Sequence, residues 1–320
     1  MYNLQTGFFI VGEDMAFTFL VKGFGGYCLI NDVHTFMTSY SLTKQQNWIK
    51  SQGITGQHYN IGKFKKLQDK MVRDYPMLDL KLSFDLTKPL LSEFISAIVN
   101  NGNHDGTSPF SIGINENNYN YGYTFSEARL TSFSFSVAEG GLAKGSASFL
   151  ILQENFEVDD LYYSSGNGGE FTKYDDDEKE LMAYWGVGAS FGNYGDYCTD
   201  ISFDWSQSYD IKFLLRNQGG EVDEEGEEDK APDPYRVLWQ VPTAKFSLTM
   251  LYNDISNSNG DGDDEDNGLE NQDFEIKYAG RTVFKCTECY AESITPLIGE
   301  KDNYLGYTIS GFVNGEITES

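Results

Sequence analysis

Four places in this 320-residue sequence combine residue types and spacing that could do chemistry. Gly-Ala-Ser-Phe-Gly at 188–192 has the G-x-S-x-G spacing of a nucleophile elbow, in which a serine on a strand-to-helix turn is served by a histidine later in the chain. All three histidines, His34, His58 and His104, precede Ser190, so the segment reads as a turn and a hydrolase is discarded. Cys286-Thr-Glu-Cys289 has the spacing of half a zinc site, but tetrahedral zinc takes four N or S ligands and no second pair is present. On a regular strand, positions 286 and 289 face opposite sides, so these read as ordinary strand cysteines. The run DGDDEDNG at 261–268 gathers carboxylates, yet no register supplies both the Gly at position 6 and the Glu at position 12 of an EF-hand loop. It reads as a solvated acidic loop. NGNHDG at 101–106 sets His104 beside a carboxylate, but it directly follows a helical pattern, and Asn101 and Gly102 read as the helix stop. Neither a Walker loop nor a G-x-G-x-x-G fingerprint occurs. The sequence thus assigns no catalytic, cofactor-binding or metal residue, and no enzyme is expected.

The elements that would have to position such groups are strands. Leu78, Leu80, Leu82, Phe84 and Leu86 alternate with Asp79, Lys81, Ser83 and Asp85, which buries one face of a strand and wets the other. The same period runs through Phe133, Phe135 and Val137, through Ile201, Phe203 and Trp205, and through Phe274, Ile276 and Tyr278. A content of 23 Phe, 21 Tyr and 33 Gly suits short strands and tight turns. One helix is expected, with Pro89 in its first turn and Leu91, Phe94, Ile95 and Ile98 spaced i, i+3, i+4, i+7. It should lie against a sheet.

Four cysteines, Cys28, Cys198, Cys286 and Cys289, are too few for a disulfide framework and read as free thiols. The opening MYNLQTGFFIVGEDMAF has no basic leader and carries Glu13 and Asp14 within its apolar run, so no secretory signal is expected. No stretch approaches the about 18 apolar residues of a membrane-spanning helix. Net charge is −26. Residues 1–160 hold 12 Lys/Arg against 16 Asp/Glu and residues 161–320 hold 11 against 33, so the second half carries nearly all the excess. Binding a phosphate backbone relies on Lys and Arg displacing counterions, so any relation to DNA is something other than adhesion.

The two halves contain corresponding blocks in the same order. Residues 16–31 answer 183–201, each ending near a Tyr-Cys pair, Tyr27-Cys28 and Tyr197-Cys198. Residues 38–53 answer 206–219, residues 77–86 answer 245–254, and residues 109–151 answer 273–313. The expected organisation is a first β domain at 1–158, a Gly/Ser-rich acidic linker at 159–180, and a second β domain at 181–320 with acidic insertions at 219–236 and 255–272. The second of these replaces the helix of the first copy. The insertion at 54–76 is basic where 219–236 is acidic, which fits either docking between neighbours or two solvated loops.

The Ser/Phe strand, glycine turn and G-S-x-S-F of LTSFSFSVAEGGLAKGSASFLI (130–151) resemble bacteriophage tail tube proteins, and the likeness covers most of both halves. The resemblance implies an all-β chain of two tandem antiparallel β-sandwich or barrel-type tube domains. Three chains would then complete a pseudo-hexameric ring, and rings would stack into a DNA conduit. It implies as partners further copies of the chain and other tail proteins (terminator, baseplate or tape measure), with DNA as a cargo that does not adhere. It places the protein in the virion tail, assembled in the host cytoplasm. In such a tube, carboxylates within one Debye length, about 8 Å at physiological salt, would repel DNA from the wall; the acidic runs at 175–180, 221–229 and 261–266 could equally coat the outside. Two other readings are a phage neck, terminator or baseplate ring component and, from a different class, a glycan-binding β-sandwich module.

Overall fold

The computed structural model describes residues 17–21, 27–45, 48–49, 72–73, 77–101, 106–115, 122–152, 181–192, 194, 198–213, 235–251, 270–298 and 305–319. Its first-half strands are β1 (Phe17–Val21), β2 (Tyr27–Ile30), β3 (Val33–Gln45), β4 (Trp48–Ile49), β5 (Val72–Arg73), β6 (Met77–Asp85), β7 (Phe110–Asn115), β8 (Gly122–Ala138) and β9 (Lys144–Leu152), with helix α1 (Lys88–Val99) after β6. The second half has β10 (Val187–Phe191), β11 (Cys198–Ser206), β12 (Tyr209–Phe213), β13 (Tyr235–Trp239), β14 (Thr243–Leu251), β15 (Gln272–Tyr278), β16 (Arg281–Ile298), β17 (Leu305–Val313) and β18 (Ile317–Glu319). The fold is all-β and antiparallel, with one α-helix among the described residues.

In the first half, hydrogen-bonded neighbours run β2-β3-β6-β9-β8-β7 and return to β2, a closed six-stranded barrel. Helix α1 packs into its core. Thr87 caps the helix by accepting from the Leu90 N–H, and Pro89 sits in the first turn, where its missing donor costs nothing. The ring of Phe94 stacks on Phe84 at 5.6 Å and on Phe133 at 4.6 Å and tilts against Phe110 at 5.4 Å. One side chain therefore ties β6, β7 and β8 to the helix, and truncating it would cost about 3–5 kcal/mol. The helix ends at Val99 with Asn100 as its cap, just before the expected stop; His104 lies outside the described residues.

The second half has the neighbour order β10-β15-β16-β17-β14-β11. Matched in chain order to β2, β7, β8, β9, β6 and β3, it repeats the cyclic order of the first barrel. The last step is a continuous hairpin of β2 and β3 in the first half; in the second, Phe191 of β10 bridges to Tyr194 and the Cys198 thiol at the start of β11 donates to the Ala189 carbonyl at 3.4 Å. Bulges coincide as well. β3 slips against β6 at Met37/Ser39 and β11 against β14 at Cys198/Asp200. The extra residue is threonine in both, its hydroxyl donating across the ladder, Thr38 to Ser83 at 3.0 Å and Thr199 to Thr249 at 3.4 Å. β8 slips against β9 at Leu130/Ser132 and β16 against β17 at Ala291/Ser293. An extra residue bends a strand and shifts its register, so matching bulges index one half onto the other.

That index corrects two of the expected block matches. Cys28 pairs with Ile114 and Ala189 with Ile276, so Cys28 corresponds to Ala189 and not to Cys198. Thr38 corresponds to Thr199, so residues 38–53 do not overlay 206–219. Loop length is not the cause, since Cys28 to Thr38 and Ala189 to Thr199 are the same ten-residue step and both halves turn over two residues, Ile30 pairing with Val33 and Phe191 with Tyr194. The Tyr-Cys pairs are a local coincidence, with Cys198 displaced by nine residues from Ala189. The later blocks overlay to within two residues. Val187, Ala189 and Phe191 also make GASFG a strand rather than a turn, with Ser190 opposite Glu275 and only Gly192 turning at φ +55. The segment at 159–180 and nearly all of the insertions at 54–76, 219–236 and 255–272 lie outside the described residues. A single hydrophobic cluster runs through both halves.

Candidate assembly surface

β8 is 17 residues long and serves three neighbours. It pairs with β7 along 122–128, with β9 along 129–136 and, on the edge that β7 has left, with β11 along 132–138. On one face of that junction Phe133 meets Trp205, Phe135 meets Phe203 and Val137 meets Ile201, none more than 5% exposed. On the other face Ser132 meets Ser206, Ser134 meets Asp204 and Ser136 meets Ser202. The result is one uninterrupted sheet, β3-β6-β9-β8-β11-β14-β17-β16. The core of each half continues through it into the other.

A hairpin secures the junction from the side. β12 and β13 project from β11 and β14, and the Tyr209 hydroxyl donates to Asp79 at 3.5 Å. Burial, reinforced by the Asp79 carboxylate, pushes that hydroxyl up to about 12. Trp239 lies on Gly106, where an added Cβ would come within 2.5 Å of the indole and the backbone holds φ +80, so glycine is required there. Buried Gln207 accepts from Asn101 at 2.8 Å and donates to the Gln240 carbonyl at 2.9 Å. β4 and β5 form the corresponding hairpin of the first half, between β3 and β6.

The wet face of the eight-stranded sheet is lined with hydroxyls. Ser134 and Ser146 lie 2.7 Å apart, Ser293 and Ser310 2.8 Å, and the pairs Ser206–Thr243 and Thr249–Thr308 3.0 Å each. Among the described residues its charged side chains include Asp79, Asp85, Asp200 and Asp204 against Lys81, Lys144, Lys245 and Arg129, with Lys144 bridging to Asp85. The acidic runs at 175–180, 221–229 and 261–266 lie outside the described residues. Partial burial raises the Asp204 carboxyl above its ordinary value. An open dent of about 340 Å³ crosses the junction between Ser136, Lys144, Asp200 and Ser247.

The chemical candidates do not converge. Ser190 is on β10, and His34 is on β3 of the other half, opposite Leu29. Cys286 and Cys289, expected on opposite faces, are both buried at 0%. Glu288 at φ +50 inserts a bulge and turns Cys289 back toward the core, its thiol 3.6 Å from the Cys286 carbonyl. Their contact lowers Cys289 and raises Cys286. Among the described residues no three His, Cys, Asp or Glu side chains gather as a metal site, and no helix is long and apolar enough to cross a membrane.

The site and fold together define a class: an all-β chain whose halves repeat one strand order and join edge to edge. No family model matches it, and the comparison with curated proteins finds no match. The junction itself was not foreseen from sequence: apolar/polar alternation at 132–137 and at 201–206 marks two strands and does not mark their pairing.

Proposed function

We propose that this chain is a virion structural protein, a tail tube subunit. Each chain contributes two copies of one unit, three chains complete a pseudo-hexameric ring, and rings stack into a conduit for DNA. The observation that carries the reading is the β8–β11 junction. It joins two units of the same strand order, and it leaves the corresponding edges, β16 of the second unit and β3 of the first, at opposite ends of the chain. Repeating a head-to-tail contact between like units generates a closed ring when the rotation closes, and closure removes the exposed sheet edges that otherwise drive aggregation.

The hydroxyl face supports the conduit. DNA adhesion depends on Lys and Arg, and among the described residues this face sets three lysines and Arg129 against four aspartates, one pair already bridged. In this reading the wall is non-adhesive because it is hydroxylated and near neutral. Partners are further copies of the chain and the terminator, baseplate or tape-measure proteins of a tail, in the virion; no catalysis is involved. Negative-stain microscopy of the purified protein tests it, with hollow tubes or rings expected. Monodisperse monomers across salt and protein concentration would refute it. Single rings that never elongate would instead favour a neck, terminator or baseplate component. The glycan-binding reading has one observation in its favour, the edge-to-face pair Tyr184–Trp185 with Trp185 79% exposed, and specific binding on a glycan array would decide for it.

A further inference from the structure

The edge of β3 that corresponds to the junction edge of β11 is occupied. β1 lies on it antiparallel, with Phe17 opposite Lys44, Thr18 opposite Thr43, Phe19 opposite Leu42, Leu20 opposite Ser41 and Val21 opposite Tyr40. The threonine bulges at Thr38 and Thr199 index β3 to β11, so that Tyr40 stands for Ile201, Leu42 for Phe203 and Thr43 for Asp204. On β11 those positions face Val137, Phe135 and Ser134 of β8. β1 therefore sets Phe-Thr-Phe-Leu-Val where β8 sets Phe-Ser-Phe-Ser-Val, in the same direction and the same register.

β16 is the β8 of the second half. The bulges at Leu130/Ser132 and Ala291/Ser293 carry Phe133 to Ile294, Ser134 to Thr295 and Val137 to Ile298, so this segment reads Ile-Thr-Pro-Leu-Ile. Beyond β17, no described strand pairs with β16 along 292–298. Ile294 is 40% exposed where Phe133 is 1%. Close by on the same sheet Phe312, 36% exposed, stacks on Tyr290 at 5.5 Å. An apolar strand with an open edge is a template for a further strand. Pro296 withholds one N–H, as edge strands commonly do to limit unspecific pairing.

We propose that β1 is a stand-in strand: in the free chain it holds the edge of β3 that β16 of a second copy takes when copies join. One strand replaces another of matching pattern, so few ladder hydrogen bonds are lost in the exchange, and assembly is held back by the release of β1. The inference rests on the ring reading above and adds to it the partner strand and the device that keeps free subunits apart.

Two pairs of cysteine substitutions test it, since directly opposed residues of an antiparallel pair lie within disulfide reach. Thr18→Cys/Thr43→Cys should lock β1 in place when oxidised, abolish tubes or rings by microscopy, and restore them on reduction. Thr43→Cys/Thr295→Cys should cross-link neighbouring copies in the assembled state, giving a denaturing-gel ladder that ends at three chains. Assembly of the oxidised lock variant to the extent of its reduced form would overturn the stand-in role while leaving the ring reading intact. Assembly of the second variant with no cross-link between positions 43 and 295 would overturn β16 as the partner, as would a cross-link from Thr18→Cys of one copy to Thr43→Cys of another. A parent chain that never assembles would overturn both readings.

Discussion

Gly145, the glycine of G-S-x-S-F, stands directly opposite Phe84 on the neighbouring strand. A Cβ built there would lie 2.2 Å from Phe84 Cε2 and within 2.9 Å of two further ring carbons. Ordinary contact needs more than about 3.4 Å, so the ring would have to retreat by over an ångström. Behind it the Phe94 ring is stacked within 2° of parallel and is itself held by Phe133 and Phe110. Gly145→Ala should therefore behave as overpacking and cost about 1–3 kcal/mol, read as a lower urea midpoint at unchanged slope. Phe84→Leu should relieve part of the clash, leaving the double variant more stable than the sum of the two single losses by about 1 kcal/mol. Gly311→Ala should be worse and beyond such rescue, because its Cβ would meet the Tyr290 carbonyl oxygen, a backbone atom, at 2.0 Å. A Gly145→Ala chain within about 0.5 kcal/mol of the parent, or strict additivity with Phe84→Leu, would refute the reasoning.

Three further outcomes are expected. The folded-state value of the Tyr209 hydroxyl is raised above its ordinary 10, so its stabilising contribution is complete below pH 10 and is lost as pH rises toward 12. Tyr209→Phe should remove that alkaline step together with the about 0.5–1.5 kcal/mol of the hydrogen bond to Asp79; identical alkaline melting of the two proteins would contradict this. Thiol alkylation of the native protein should modify half-buried Cys198 well before buried Cys28, Cys286 and Cys289, with Cys28 further protected because burial pushes its thiol up to about 12; mass spectrometry showing equal rates would count against the described core. Thr199→Val and Thr38→Val should each cost about 0.5–1.5 kcal/mol by leaving a ladder carbonyl without its donor, and a neutral effect of both would show that the bulges do not need their threonines.

Much of the fold was legible where side chains alternate. Leu78 to Leu86, Phe133 to Val137, Ile201 to Trp205 and Phe274 to Tyr278 fall on β6, β8, β11 and β15 with the expected faces buried, and Pro89 with its apolar stripe gave α1. Bulges were not legible, because an inserted residue looks like any other in sequence; Glu288 put Cys286 and Cys289 on one side for that reason. Short identities misled, as with Tyr27-Cys28 against Tyr197-Cys198, because a two-residue match recurs by chance and carries no register. The β8–β11 junction was visible only in part: apolar/polar alternation marks β8 and β11 as strands, but nothing local says that they pair across half the chain. The likeness of β1 to β8, FTFLV to FSFSV, lay in the sequence all along and gained meaning only once the bulges fixed a common register.

Because β8 belongs to two ladders at once, the halves share a structural member as well as a border. Phe133 and Phe135 pack with Phe94 and β9 of the first half and pair with Trp205 and Phe203 of the second. Unfolding either half strips β8 of a neighbour and exposes those rings, so the free energy of opening one half includes part of the core of the other. The chain should melt in one calorimetric transition, with van't Hoff and calorimetric enthalpies in agreement. Evolutionarily, neither half is free to drift alone: a change that loosens one half is felt at once in the stability of both.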